Sequence, residues 1–194
     1  MPDPTADTGS RAAILDAAVE SFGTLGYYGT SLQRIANAVG LTKAGVLHHV
    51  GSKEGLLRLV LDERYDRETL DFTCAMARRE RPLIAEMWRG IVSINARRPA
   101  LVHMFSTLSA EALDPGHPAH DYFERRERQI VDTALTIRWQ VPAGTDVAKL
   151  LATGFAAMDG VQLRWLRAPG RDLVAMWADC EDTLMPLPVW EGYR

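Results

Sequence analysis

Two lysines, Lys43 and Lys53, each stand at the first position of a segment that reads as a helix, in the stretch GLTKAGVLHHVGSKEGLL, residues 40 to 57. A helix carries partial positive charge at its amino end, so a cation there is disfavoured by about 0.3 to 1 kcal/mol unless an anion lies opposite. The same helix ends hold N–H groups with no intrahelical acceptor, and these collect phosphate oxygens. Two neighbouring ends with lysines therefore predict a two-point clamp on a nucleic-acid backbone. Ala44 and Gly45 are small enough to let a helix sink into a major groove, where Lys43, Leu47 and His48 would reach base edges. Other chemistry finds less support. His117, His120 and Asp121 have i, i+3, i+4 spacing, but no cysteine or glutamate pattern of a zinc class accompanies them. The sequence contains no Walker glycine loop, G-x-S-x-G elbow or HExxH. No catalytic residue, metal or cofactor is expected.

The elements that must position these residues are short and local. The segment SRAAILDAAVESFGTLG places Ala13, Ile14, Ala17, Ala18, Phe22 and Leu25 on one stripe, with Gly23 or Gly26 as its stop. In TSLQRIANAVG, Thr30 is the expected cap, Gln33 completes a capping-box pattern, and Leu32, Ile35, Ala36 and Val39 face inward. Gly40 marks a tight turn and Thr42 can cap KAGVLHHV, whose Val46 and Val50 are four apart and can share the core face. Two short helices joined through a glycine form a helix-turn-helix. Ser52 is the cap candidate for a helix of roughly 25 residues that leaves this unit.

TSLQRIANAVGLTKAGVLHHVGSKEGLL resembles the helix-turn-helix signature of the tetracycline-repressor (TetR) family of bacterial transcription regulators. The resemblance is strong over residues 11 to 57 and architectural beyond. It implies phosphate contact near Thr30, from His49 and from Lys53, and groove contact from Lys43, Ala44, Gly45 and His48. Arg34, Thr42 and Leu47 complete the set expected to face DNA. Leu47 stands where the family usually has a tyrosine and Val50 where it often has phenylalanine. A leucine lacks the hydroxyl for a phosphate but can touch a thymine methyl.

The chain has 194 residues, 47% of them apolar, and a formal charge of −3. Such a length accommodates a packed core and two units. Bulk positive charge does not explain DNA binding. Within residues 1 to 55, Arg11, Arg34, Lys43 and Lys53 face Asp3, Asp7, Asp16, Glu20 and Glu54, a net of −1. Helical periods and scarce β-branched runs predict an all-α fold of about nine helices. An N-terminal three-helix domain (10–52) would follow a disordered lead-in (1–9) and precede a larger effector-binding and dimerisation domain (53–194) with an irregular tail (186–194). No long apolar span or secretory signal is seen, so a cytoplasmic protein without membrane contact is expected. Cys74 and Cys180 should be reduced and mostly buried.

All five tryptophans follow residue 85. The seam Val147, Leu151, Gly154, Met158, Val161 and Trp165, matched by Leu173, Trp177, Cys180 and Leu184, predicts two helices that pair with their copies across a two-fold axis. Such a homodimer could read both halves of a palindromic operator. Trp88, His103, Met104, Phe105, Phe123, Trp139, Phe155, Met158 and Gln162 are the candidates to line a cavity for a small, largely apolar effector. In the family that the motif resembles, such a ligand usually reduces operator affinity, which makes a repressor the expected function.

Overall fold

The structure, a computed structural model, describes residues 4–168 and 170–194, with side-chain surroundings described from residue 9 onward. Among the described residues every regular element is helical. They are α1 (Pro4–Gly29), α2 (Leu32–Ala38), α3 (Lys43–Val50), α4 (Lys53–Leu59), a π-helical stretch (Val60–Asp66), α5 (Arg67–Met76), α6 (Ile84–Ala96), α7 (Pro99–Glu111), α8 (His120–Leu135), α9 (Val147–Leu166) and α10 (Leu173–Leu184). The expected 25-residue helix is the continuous run of α4, the π-helical stretch and α5. Of the lead-in expected to be disordered, residues 1–3 lie outside the described residues, whereas residues 4–9 are helical. Pro4 opens α1, the position where its fixed φ suits a helix and its missing N–H costs nothing.

Packing divides the chain into two compact units, residues 1–67 with 100–123 and residues 68–99 with 124–194. This division does not follow the functional boundary expected at residue 52. In the first unit, α1 turns Ile14, Leu15, Ala18, Val19 and Phe22 onto Leu32, Ile35 and Ala36 of α2 and Val46 and Val50 of α3, all buried. Leu25, expected on that stripe, is 40% exposed, and the helix breaks at the next residue, Gly26 (φ 68°, ψ −177°). The helix after Ser52 adds Leu56, Leu57, Val60, Leu61 and Tyr65, and α7 adds Met104, Phe105 and Leu108. Each of these large side chains stabilises the unit by roughly 1.5 to 3 kcal/mol on burial. Tyr65 stacks on Phe105 at 4.0 Å between ring centroids, and Tyr122 donates a hydrogen bond to the Asp66 carboxylate.

The second unit is built on α6, α9 and α10. Trp88 and Trp177, both fully buried, meet edge to face at 5.5 Å. Asn95 donates to Gln162 at 2.8 Å within the same core, and Arg89 holds the buried Glu181 carboxylate through two nitrogens. The seam expected to meet a second subunit is turned onto this core instead. Leu151, Gly154, Met158, Val161, Leu173 and Trp177 are buried, and Val147, Trp165, Cys180 and Leu184 are half-buried against them. Trp88 and Trp177 need that surface, and α6 supplies it. Cys74 is exposed and Cys180 half-buried, so the expectation of buried thiols fails at Cys74, which lies on the solvent side of α5.

Gly154 is where α9 receives Trp88. A Cβ built on it would lie 2.0 Å from Trp88 Cζ2, whereas one on Gly160 would meet nothing within 4 Å. The same substitution at these two helical glycines should therefore have opposite signs. Gly154→Ala is expected to destabilise by about 1 to 3 kcal/mol through overpacking, and Gly160→Ala to stabilise by about 0.5 to 1 kcal/mol through helix propensity. Urea unfolding of the two variants beside the parent chain measures both.

Candidate nucleic-acid interface

Each of the three short helices α2, α3 and α4 begins on a hydroxyl. Ser31 Oγ accepts the Arg34 N–H at 3.2 Å, Thr42 Oγ1 accepts Gly45 N–H at 3.0 Å, and Ser52 Oγ accepts Gly55 N–H at 2.9 Å. A cap of this kind is worth about 1 kcal/mol. The expected caps at Thr42 and Ser52 are those found, but the one at Thr30 is not. Thr30 is 2% exposed, and its hydroxyl donates to Gly26 O at 2.8 Å, so the Ser21 hydroxyl at 3.1 Å must be the donor to it. Its oxygen is committed inside the fold, and the exposed hydroxyl at the start of α2 belongs to Ser31. Gln33 donates to Asn37 at 2.8 Å instead of reaching back to close a capping box.

With Val46 and Val50 buried, α3 presents Lys43, Ala44 and His48 as exposed residues, and Gly45, Leu47 and His49 as half-buried ones. Thr42 and Arg34 are exposed as well. The His48 and His49 rings meet edge to face at 5.7 Å. Among the described residues, no carboxylate pairs with Lys43, so its ammonium at the first residue of α3 faces solvent.

Lys53 is placed differently. Its ammonium lies over the Tyr27 ring, 4.2 Å from the centroid. Burial lowers its pKa, and the charges of Glu54 and Glu111 oppose that shift. Tyr27 is pinned at both ends: its hydroxyl donates to Glu54 Oε1 at 2.8 Å and its N–H to Glu111 Oε2 at 2.7 Å. Burial, reinforced by Glu54, pushes the phenol pKa up. The Glu54 carboxyl is held below its ordinary value, first by its own backbone N–H and then by the Tyr27 and Ser52 hydroxyls.

His117 backs this cluster. It is 3% exposed, its ring meets Tyr27 and Tyr28 edge-on at 5.3 and 5.6 Å, and its Nδ1 accepts the Ala119 N–H at 3.1 Å. The proton of the neutral ring is therefore on Nε2, which faces Glu111 Oε2 at 3.5 Å. Burial lowers the His117 pKa, opposed by Glu111. Ser31, Tyr27, Glu54, Glu111 and His117 were not singled out by the sequence as interface residues. The TS dipeptide at 30 and 31 could have raised Ser31, but no local pattern announces a contact between Tyr27 and a residue on α7.

The residues expected to line one effector cavity fall into two groups. Met104 and Phe105 are buried and Phe123 is half-buried in the first unit, where His103 is exposed. Trp88, Trp139, Phe155, Met158 and Gln162 belong to the core of the second unit or pack against it. There, Trp139 donates to Ala134 O at 2.7 Å, whereas the indole N–H groups of Trp88 and Trp177 find no acceptor among the described residues.

Short capped helices, a glycine turn between α2 and α3, and an outward face of small and basic residues define a helix-turn-helix protein. Residues 14–60 match the family described as "Bacterial regulatory proteins, tetR family". The HTH-type transcriptional regulatory protein RaaS of Mycobacterium tuberculosis is 50% identical over 52 residues, which cover 27% of this chain and 24% of RaaS. The HTH-type transcriptional repressor KstR2 of Rhodococcus jostii is 27% identical over 138 residues, 67% of this chain and 58% of KstR2. The chain thus spans about a quarter of RaaS and less than two thirds of KstR2. The solved structure of AibR in complex with isovaleryl coenzyme A and operator DNA shares the fold with a TM-score of 0.65, 24% identity, and coverage of 91% of this chain and 98% of that one. No helix among the described residues is long and apolar enough to cross a membrane.

The lowered pKa of His117 sets a pH dependence. An unfolded histidine takes up its proton near pH 6.5, above the folded value. As pH falls through that window the unfolded chain binds more protons, so stability is lost on acidification. Thermal melts between about pH 7.5 and 5.5 should show the midpoint falling, and His117→Gln should flatten that slope while leaving the carboxylate-dependent losses below about pH 4.5 in place.

Proposed function

We propose that the chain is a dimeric, sequence-specific DNA-binding transcriptional regulator, a repressor released from a palindromic operator by a small, largely apolar effector. The functional division runs from the reading head at residues 10–52 to the effector-binding and dimerisation part at 53–194. The observation that carries the reading is the exposed start of α3. Lys43 stands there without a carboxylate partner among the described residues, beside Ala44, Gly45 and His48 and on a helix fixed from behind by Val46 and Val50. A cation left facing solvent at a positive helix end is satisfied by the DNA polyanion. Arg34, Ser31, His49 and Lys53 flank this face as phosphate contacts, and Leu47 offers its methyls to a thymine. Relatives named as transcriptional regulators support the reading, as does the operator complex of AibR.

For the dimer, the support comes from the outward side of α9. With the predicted seam turned inward, Ala148, Ala152 and Ala156 remain exposed on one stripe, together with Leu163 (40%) and, on α10, Val174 (41%). Small side chains let two helices approach closely, and a two-fold pairing of α9 and α10 would cover this apolar stripe. For the effector, the support is the pair of buried indole N–H donors without acceptor among the described residues of the second unit, whose core also holds the Asn95–Gln162 amide pair. An unmade bond of this kind costs about 1 to 3 kcal/mol, which favours a ligand that brings an acceptor oxygen to an otherwise apolar core.

Selection of bound duplexes from a random DNA pool tests the function: a palindromic consensus is expected, and recovery of unrelated sequences would refute it. On the selected duplex, Lys43→Ala should cost about 1 to 3 kcal/mol and relax preference at particular base pairs. Ala156→Arg should yield a monomer in light-scattering chromatography, and with it the loss of two-half-site binding.

A further inference from the structure

The contact between Glu111 and Tyr27 joins residues 84 positions apart. We propose that Glu111 is a positioning residue for the phosphate contact of Lys53, fixing through Tyr27 where the ammonium stands at the start of α4. The proposal rests on the DNA-binding reading above and adds to it a control point on α7 that lies outside the helix-turn-helix.

At Gly26 the chain leaves helical geometry with φ 68°, a conformation that side-chain-bearing residues rarely adopt. The next N–H, that of Tyr27, therefore points away from the helix, and Tyr27 is 4% exposed, so water does not serve it. Glu111 Oε2 takes it at 2.7 Å. A Cβ on Gly26 would lie 1.9 Å from Glu111 Oε1, so the carboxylate is packed against the break itself. At the far end of the side chain, the Tyr27 hydroxyl is held by Glu54 on α4. Tyr28 and His117 press on the ring at 5.3 Å each, and the Lys53 ammonium lies over its face. A ring fixed at its backbone, its hydroxyl and its flanks gives the ammonium one seat.

Glu111 is in turn flanked by the α7–α8 connection. His117 faces its carboxylate, and His117 is anchored by the Ala119 N–H. Removing Glu111 leaves the Tyr27 N–H buried without an acceptor, which costs about 1 to 3 kcal/mol where it stands. The turn then relaxes by moving Tyr27, and the seat of Lys53 moves with it. A purely structural role for Glu111 would lower stability and leave the number of phosphates neutralised by the folded protein unchanged.

The experiment measures affinity for a random-sequence DNA duplex over a salt series, using fluorescence anisotropy. Each lost phosphate contact reduces the magnitude of the log–log slope by about 0.9. Lys53→Ala should reduce it by that amount per chain, Glu111→Ala should do the same, and the double variant should go no further. Glu111→Gln, which keeps an acceptor for the Tyr27 N–H, should restore the parent slope. Should Glu111→Ala not fold, Glu111→Asp withdraws the carboxylate by one methylene and carries the same expectation. A parent-like slope for the Glu111 variant beside a reduced one for Lys53→Ala overturns the positioning role and leaves Lys53 as a phosphate contact. Additive losses in the double variant overturn it too, since the residues would then act separately. An unchanged slope for Lys53→Ala overturns both this proposal and the phosphate-contact reading of Lys53.

Discussion

Gly26 obliges the chain to find an acceptor for a backbone N–H that the helix no longer serves, and the acceptor comes from the other end of the same unit. A hydrogen bond to an ionised carboxylate contributes roughly 1.5 to 3 kcal/mol, and the bond from Tyr27 to Glu111 spans 84 positions. That bond ties residues 100–123 to residues 1–67, the segments that make up one compact unit. The apolar contacts run the same way, with Tyr65 stacked on Phe105 and Met104 and Leu108 in the core of α1 and the helix after Ser52. The compact unit that carries the helix-turn-helix is therefore more than three helices. It has a buttress, and the buttress holds the turn from which Lys53 takes its position.

Two lysines at two helix starts pose the same electrostatic problem and solve it differently. Lys53 lies over an aromatic face with Glu54 and Glu111 near enough to oppose the effect of its burial. A cation over a ring gains about 0.5 to 1 kcal/mol at an exposed site and more when desolvated, enough to offset the helix-end penalty of similar size. Lys43 has neither ring nor carboxylate among the described residues. The argument from unwelcome charge to an external polyanion is therefore strongest at Lys43, and Lys53 is a cation held ready in a seat of its own.

The sequence made much of this architecture legible, for reasons that can be traced to particular residues. Thr42 and Ser52 were readable as caps because each is a lone hydroxyl one residue before a helical period, and the inward turn of Val46 and Val50 follows from their spacing. At Thr30 and Ser31 two hydroxyls stand side by side, and only the bonds from the first back to Gly26 and Ser21 on α1 decide that it is inside. The seam of α9 shows the limit of periodicity. A stripe at helical spacing says that a face is buried, and Trp88 filling the notch at Gly154 shows that its partner is this chain's own α6. The small residues on the other side, which look unremarkable by hydropathy, are left facing out. Glu111 and His117 had no local signal, since a contact across 84 residues leaves no pattern in either segment.

The caps also determine what each helix start has left to offer. At α2, α3 and α4 the hydroxyl takes the N–H three residues on, which leaves the first two N–H groups of each helix without a capping partner. At α3 those two belong to Lys43 and Ala44, and neither side chain can accept a hydrogen bond, so both N–H groups stay available to an anion. At α4 the second belongs to Glu54, whose carboxylate is held by that same N–H and by Tyr27 and Ser52. An anion approaching α4 by its backbone would meet a carboxylate already in place. On the proposed DNA-binding reading, contact at α4 falls to the Lys53 side chain, reaching past Glu54 from its ring, whereas α3 can use backbone and side chain together. This difference makes placement of the Lys53 ammonium matter more than the helix end beneath it.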